Sequence, residues 1–193
     1  EEGREKFPED ENLSTLELNY YLESGNVDKM LSKLKEAVKA NPNDPELIFN
    51  LGIIQADLAN NAKDENEKKQ YNKDALKSYE KALALDPQNG KFNYQMGAFH
   101  FNKAAVINSE MQSLPISEQK KYDALELERN KIFEEAIPFL EDARMSFQRN
   151  ARNLSHNDKI FYKQSLEALS NIYAILNKMD LVKEIRDEMD SFK

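Results

Sequence analysis

The residues most able to do chemistry are two histidines and several pairs of adjacent acids. His100 and His156 are the only histidines, and neither has a cysteine or an HExxH-type neighbour that would make it a ligand or a base. His156 falls in a loop ahead of a helix and reads as an ordinary surface residue. The chain has no cysteine, which removes disulfides, thiolate metal sites and a cysteine nucleophile. It also has no glycine-rich phosphate loop and no GxSxG. Glu134-Glu135 and Glu141-Asp142 could in principle do acid–base work or hold a cation. Adjacent residues on a helix point about 100° apart, so such pairs diverge and read as solvated helix faces. Lys68-Lys69 and Lys120-Lys121 read the same way. The expectation is a protein that is not an enzyme, with no catalytic residue, no metal and no cofactor.

Composition narrows the partners. The 193 residues are enough for one domain with a sizeable core, and 40% of them are hydrophobic. Glycine and proline are few, at five and six, which argues against β-rich or disordered stretches. The net charge of −8 disfavours nucleic acid and anionic membrane as main partners, while leaving room for a local basic patch. The apolar runs are too short to cross a bilayer, so no membrane insertion is expected.

The elements that must position any site are helices in pairs. Leu47, Ile48, Leu51, Ile54 and Leu58 recur at spacings of three and four, one apolar helix face. Asp44-Pro45-Glu46 starts that helix with an N-cap candidate, a proline whose missing N–H costs nothing there, and an acid at the positive end. A second stripe runs Ala75, Leu76, Tyr79, Ala82 and Leu83, and Asp86-Pro87 ends it. Gly52 and Ala82 are small where the two helices would cross closely. Such a pair cannot bury both stripes alone and needs neighbours of the same kind.

Further pairs flank this one. Leu13–Leu22 and Val27–Ala40 form a pair before it, joined by a Gly25-Asn26 turn and closed by Asn41-Pro42. After it, a helix from about Phe92 to Gln112 is broken near Pro115. Ser117 is then expected to cap a very long helix, about Glu118 to Asn150. At ~1.5 Å per residue it would run on the order of 50 Å, with a kink near Glu134 caused by Pro138. These two helices predict a projecting hairpin seamed by Ile107, Met111, Tyr122, Leu125, Arg129 and Ile132. A last pair, capped by Asn157-Asp158, is striped by Phe161, Leu166, Leu169, Ile172, Tyr173 and Leu176, then by Leu181, Val182, Ile185, Met189 and Phe192.

Leu51-Gly52, Ala75, Tyr79, Ala82 and Pro87 resemble the tetratricopeptide (TPR) repeat, with Ile48 in its tryptophan place, Gln55 in the first tyrosine place and Tyr79 in the phenylalanine place. Met96-Gly97, Ala136, Leu140 and Ala143 carry the resemblance into the next pair, and His100 there stands in an aromatic core place. Leu169, Tyr173 and the earlier Tyr21, Gly25, Ala37 and Pro42 extend it more weakly. The resemblance implies an all-α, TPR-like α-solenoid of helical hairpins with elongated helices in its second and third repeats. It implies a single domain over 1–193, with repeats at about 11–44, 45–89, 90–150 and 155–193. Residues 1–10 read as the tail of a preceding helix, so a longer protein is expected. The lengthened repeats also resemble TPR proteins of Gram-negative cell envelopes, which would favour a periplasmic or envelope location, with a cytoplasmic one as the alternative.

In TPR proteins the first helices of successive repeats line a groove. By that resemblance Asn19, Phe49, Asn50, Ile53, Lys91, Tyr94 and Phe101, with Thr15 and Ala98, would look inward, a mix of apolar anchors and amides suited to an extended peptide. Equally, Phe49 and Phe101 would pack against the lengthened neighbouring helices. The carboxylate clamp of some chaperone-binding TPR domains is disfavoured. Its places hold Thr15, Asn19, Asn50, Lys91 and Gln95, which lack two of the basic residues. The expected function is therefore a scaffold that binds protein or peptide in the groove. The alternative is a structural or oligomerisation module acting through the hairpin at about 105–135, with a homo-oligomer as its product.

Overall fold

The computed structural model describes residues 27–191. Among them every regular element is helical. The expected Leu13–Leu22 helix, the Gly25-Asn26 turn, the tail at 1–10, Asn19 and Phe192 lie outside the described residues. The chain divides between Leu85 and Asp86 into two compact units.

The first unit holds α1 (Val27–Ala40), α2 (Pro45–Asn61) and α3 (Glu65–Leu85). Asp44 caps α2, its carboxylate accepting from the Leu47 N–H at 3.0 Å, with Pro45 in the first turn. Asp64 does the same for α3, accepting from the N–H groups of Asn66 and Glu67 at 2.9 and 3.0 Å. The residues Ala59 to Asn72 that exceed a standard repeat therefore extend both helices and supply their turn. Ile48, Leu51 and Ile54 of α2 and Ala75, Tyr79 and Ala82 of α3 are buried. Gly52 is required by the crossing: a Cβ there would lie 2.6 Å from the Tyr79 ring. Beside it the buried Gln55 accepts a hydrogen bond from the Ser78 hydroxyl at 2.7 Å. Leu31 and Leu34 of α1 close this core against Leu51 and Ile54.

The second unit holds α4 (Gly90–Gln112), α5 (Gln119–Arg149), α6 (His156–Ile175) and α7 (Met179–Ser191). Asn89 caps α4, and the buried Asn93 amide ties its first turn back to the carbonyls of Pro87 and Asn89, at 2.8 and 3.0 Å. α4 and α5 form the long antiparallel hairpin, joined by a 3-10 turn at Ile116–Glu118. Met111, Arg129 and Ile132 are buried in its seam, where Arg129 Nη1 donates to Asn108 Oδ1 at 2.9 Å. Phe133, Ala136, Leu140, Ala143 and Phe147 of α5 join Tyr162, Leu166, Leu169 and Ile172 of α6 and Val182 and Ile185 of α7 in one core.

Two caps differ from those expected. Ser117 does not cap the long helix. It lies inside the 3-10 turn, closed by the Glu118 N–H on the Pro115 carbonyl at 2.9 Å, and α5 starts at Gln119 without a side-chain cap. Proline at 115 fixes an extended entry, and the tight turn feeds directly into α5. The last pair is capped by Ser155 rather than by Asn157-Asp158. Its hydroxyl accepts from the Asp158 N–H while the Asp158 carboxylate accepts from the Ser155 N–H, a reciprocal box that the Ser-x-x-Asp spacing allows. α5 runs through Pro138 as one uninterrupted helix. Pro138 and Glu134 are both exposed, so the carbonyl that loses its donor lies on the solvent side. Asn177, at φ 56°, makes the left-handed residue that ends α6.

Candidate binding surfaces

The residues expected to line a groove fall in both units. In the first, Phe49 is buried, its ring 5.8 Å from that of Tyr79. One position on, Asn50 is exposed, and Ile53 is half-buried. α2 thus presents Asn50 and Ile53 to the outside while it spends Phe49 on its own core. In the second unit Lys91, Tyr94 and Phe101 recur at spacings of three and seven, which sets them on one stripe of α4, and all three are half-buried. Gln95, a clamp position, is half-buried as well.

The stripe on α4 rests on α5 and α6. The Tyr94 ring lies 5.3 Å from Phe161 of α6, and the Phe101 ring 5.6 Å from Phe133 of α5. Burial, with the nearby Glu167 carboxylate adding to it, pushes the Tyr94 hydroxyl above its ordinary value and keeps it a neutral donor. A neutral phenol above an aromatic neighbour offers a partner both an apolar face and one directional hydrogen bond.

His100 is a packed residue. Its ring stacks on Phe139 at 5.7 Å and 12°, with Phe99 edge-on. Its Nδ1 lies 3.5 Å from the Glu135 carboxylate. Glu135 is thus drawn toward α4, where adjacency to Glu134 predicts only a solvated face. The correction is larger at Glu141. Arg144 of α5 binds Glu141 at 3.2 Å, Glu184 of α7 at 2.7 Å, and Glu188 of α7 through Nε at 2.8 Å. Tyr173 donates to Glu141 at 2.8 Å, and Tyr162 donates to Glu188. One guanidinium, three carboxylates and two phenols therefore stitch α5, α6 and α7 together.

Electrostatics within this network follow from burial and pairing. Burial first, then the hydrogen bonds to Glu188 and Glu141, push the Tyr162 and Tyr173 hydroxyls far above their ordinary range. Burial also works to raise the Glu188 carboxyl, but Arg144 and the Tyr162 hydroxyl outweigh it and hold Glu188 below its ordinary value. Burial likewise opposes the Arg144 charge, and the carboxylates overcome it. Sequence reasoning missed this network because its bonded partners are up to 44 residues apart. The only local signal was Glu141 and Arg144 at i, i+3.

Among the described residues no group of three or more His, Cys, Asp and Glu is placed to hold a metal ion. Among them, too, no helix is long and apolar enough to cross a membrane.

Antiparallel helix pairs that cross at Gly52 over Tyr79 and at Gly97 over Leu140 define an all-α, TPR-like protein. Residues 15–113, just over half of the chain, match the family described as regulator of microtubule dynamics protein 1-3, and the chain belongs to that family. No curated protein matches it. Among solved structures it is similar to a Bacteroides ovatus protein described as protein-binding, at 21% identity and TM-score 0.52 over 89% of this chain and 82% of that one. It is also similar to a thermophilic TPR protein of Thermus thermophilus, at 16% identity and TM-score 0.46 over 95% and 84% of the two chains.

Proposed function

We propose that this chain is a non-catalytic TPR-like scaffold that binds a protein or peptide through the first helices of its hairpins. The contact residues are Lys91, Tyr94 and Phe101 on α4 and Asn50 and Ile53 on α2. Phe49 acts from beneath, by holding α2 on Tyr79. The observation that carries this reading is the half-buried stripe on α4: a cation, a neutral phenol and an aromatic edge on one line, each partly open, with the two rings fixed by packing. Groups held in this way lose little freedom when a partner arrives, which favours binding. The TPR-like fold supports protein as the partner class, and the net charge of −8 argues against nucleic acid. The family's description refers to microtubule dynamics, a property of its named members.

The test is affinity capture with the unaltered chain, Tyr94→Asp and the exposed-site variant Asn50→Ala, after all three are shown to be equally helical. A partner retained by the unaltered chain and lost from Tyr94→Asp supports the reading. Identical capture by all three would sink it.

A second reading has its own observation. The α4–α5 hairpin exposes Val106, Ile116 and Leu127, at 72%, 97% and 74%. These side chains are suited to self-association. Mass by light scattering across a range of concentrations separates the two: a mass that rises, and falls back in Val106→Lys with Leu127→Lys, favours the hairpin.

A further inference from the structure

Lys69, Lys73, Lys77 and Lys81 recur at every fourth residue of α3. All four are exposed, on the side of the helix opposite Ala75, Ser78, Tyr79 and Ala82, the residues α3 buries. None of the four makes an ion pair among the described residues, whereas Lys68, off that line, pairs with Glu65 at 3.9 Å. Glu80 shares the face and Asp74 flanks it, held there by the Gln70 amide at 2.9 Å. A basic ladder thus stands on a chain whose net charge is −8.

We propose that this ladder is a docking face for an acidic helix of a protein partner, one with carboxylates at every fourth residue. The lysines step by about 6 Å along three turns of helix. An acidic helix repeats its carboxylates with the same step, so four pairs can form in register. The other anionic partners fit less well. A bilayer or a nucleic acid spreads its charge over more than the ~8–10 Å screening length, so it meets the repulsive net charge of the chain as well as the ladder. The line runs on to one exposed apolar side chain, Leu85, which alone is too little to anchor the face in a bilayer, and no aromatic lies along it to stack on a base. A slender helix sees the ladder alone. This face is separate from the α2 and α4 residues proposed above, so either reading can fail without the other.

The probe is a fluorescein-labelled helical peptide with glutamate at i, i+4, i+8 and i+12, compared with a peptide of the same composition whose glutamates are spread around the helix. Binding to the full chain is followed by anisotropy at several salt concentrations. The ladder peptide is expected to bind more tightly than its scramble and to weaken as salt rises. The variant K69Q/K73Q/K77Q/K81Q is expected to bind it about tenfold more weakly, the scale of several exposed ion pairs lost together. The variant K103Q/K120Q/K131Q/K159Q, which changes net charge equally but leaves the ladder intact, is expected to bind normally. Circular dichroism establishes that both variants are folded. Equal weakening in both variants, no preference for the ladder peptide, or binding of phosphatidylserine vesicles or duplex DNA in its place would each overturn the proposal.

Discussion

Gly97 lies against Leu140 so closely that a Cβ added to it would stand 2.5 Å from the leucine Cγ and 3.3 Å from its backbone nitrogen. The long hairpin of the second unit therefore depends on the absence of a side chain at one position of α4. Gly97→Ala gains helix propensity, worth about 1 kcal/mol, but must displace a fully buried leucine together with its backbone. The expected net result is a loss of about 1–2 kcal/mol, with Gly97→Val worse. Urea unfolding followed by circular dichroism measures both. A neutral or stabilised Gly97→Ala would mean that α4 and α5 can move apart at no cost.

Gln55 and Ser78 form a buried polar pair across α2 and α3. Removing only the hydroxyl, in Ser78→Ala, leaves the Gln55 carbonyl without that partner and should cost about 1–3 kcal/mol. Replacing both, as Gln55→Met with Ser78→Ala, should recover most of the loss, because no buried polar group is then stranded. A double-mutant cycle that adds without coupling would contradict a direct pair.

Arg144 is the cation that joins Glu141, Glu184 and Glu188. Arg144→Met keeps much of the side-chain volume but leaves the carboxylates facing each other. Removing one partner of a fully buried pair costs ~3–5 kcal/mol; for this partly open site a loss of about 2 kcal/mol is expected. Hydrogen exchange should locate the effect in α7, with the first unit unaffected.

The same network sets a pH window for the second unit. The folded-state carboxyl of Glu188 lies below its ordinary 4.5, so its stabilisation is complete above that value and is lost as pH falls through the lowered one. Tyr162 and Tyr173 lie above their ordinary 10.0, so their stabilisation is complete below 10.0 and is lost as pH rises through the raised values. Exchange of the α7 amides, corrected for its intrinsic pH dependence, should be slowest between these limits and quicken on both sides. Glu188→Gln should flatten the acid side. An α7 that loosens between about pH 5 and 9 would be inconsistent with these signs.

Much of the fold was legible because it is local. The Asp44-Pro45-Glu46 start, the apolar spacing from Leu47 to Leu58 and the Asp86-Pro87 stop each act over a few residues, and the helices begin and end close to them. Capping was harder to read, since Ser117 and Ser155 are both serines ahead of a helix. Only Ser155 has an acid at the third following position that closes a reciprocal box. The candidate surface was legible only as a set of helical positions. That Phe49 turns into the core while Asn50 stays exposed depends on where Tyr79 lies, and Tyr79 belongs to another helix.

The sequence by itself determined that the chain is all-α, that its helices come in pairs, that Gly52 and Ala82 mark a close crossing, and that the second and third pairs are long. Periodicity, proline and glycine carry that information because their effects are confined to neighbouring turns. Only the tertiary structure decided that Glu141 is paired and Arg144 shared, that His100 stacks on Phe139, and that the lysine ladder of α3 forms no ion pair among the described residues. Ionisation and exposure depend on which side chains meet across helices, and residues 44 positions apart leave no periodic trace of their meeting.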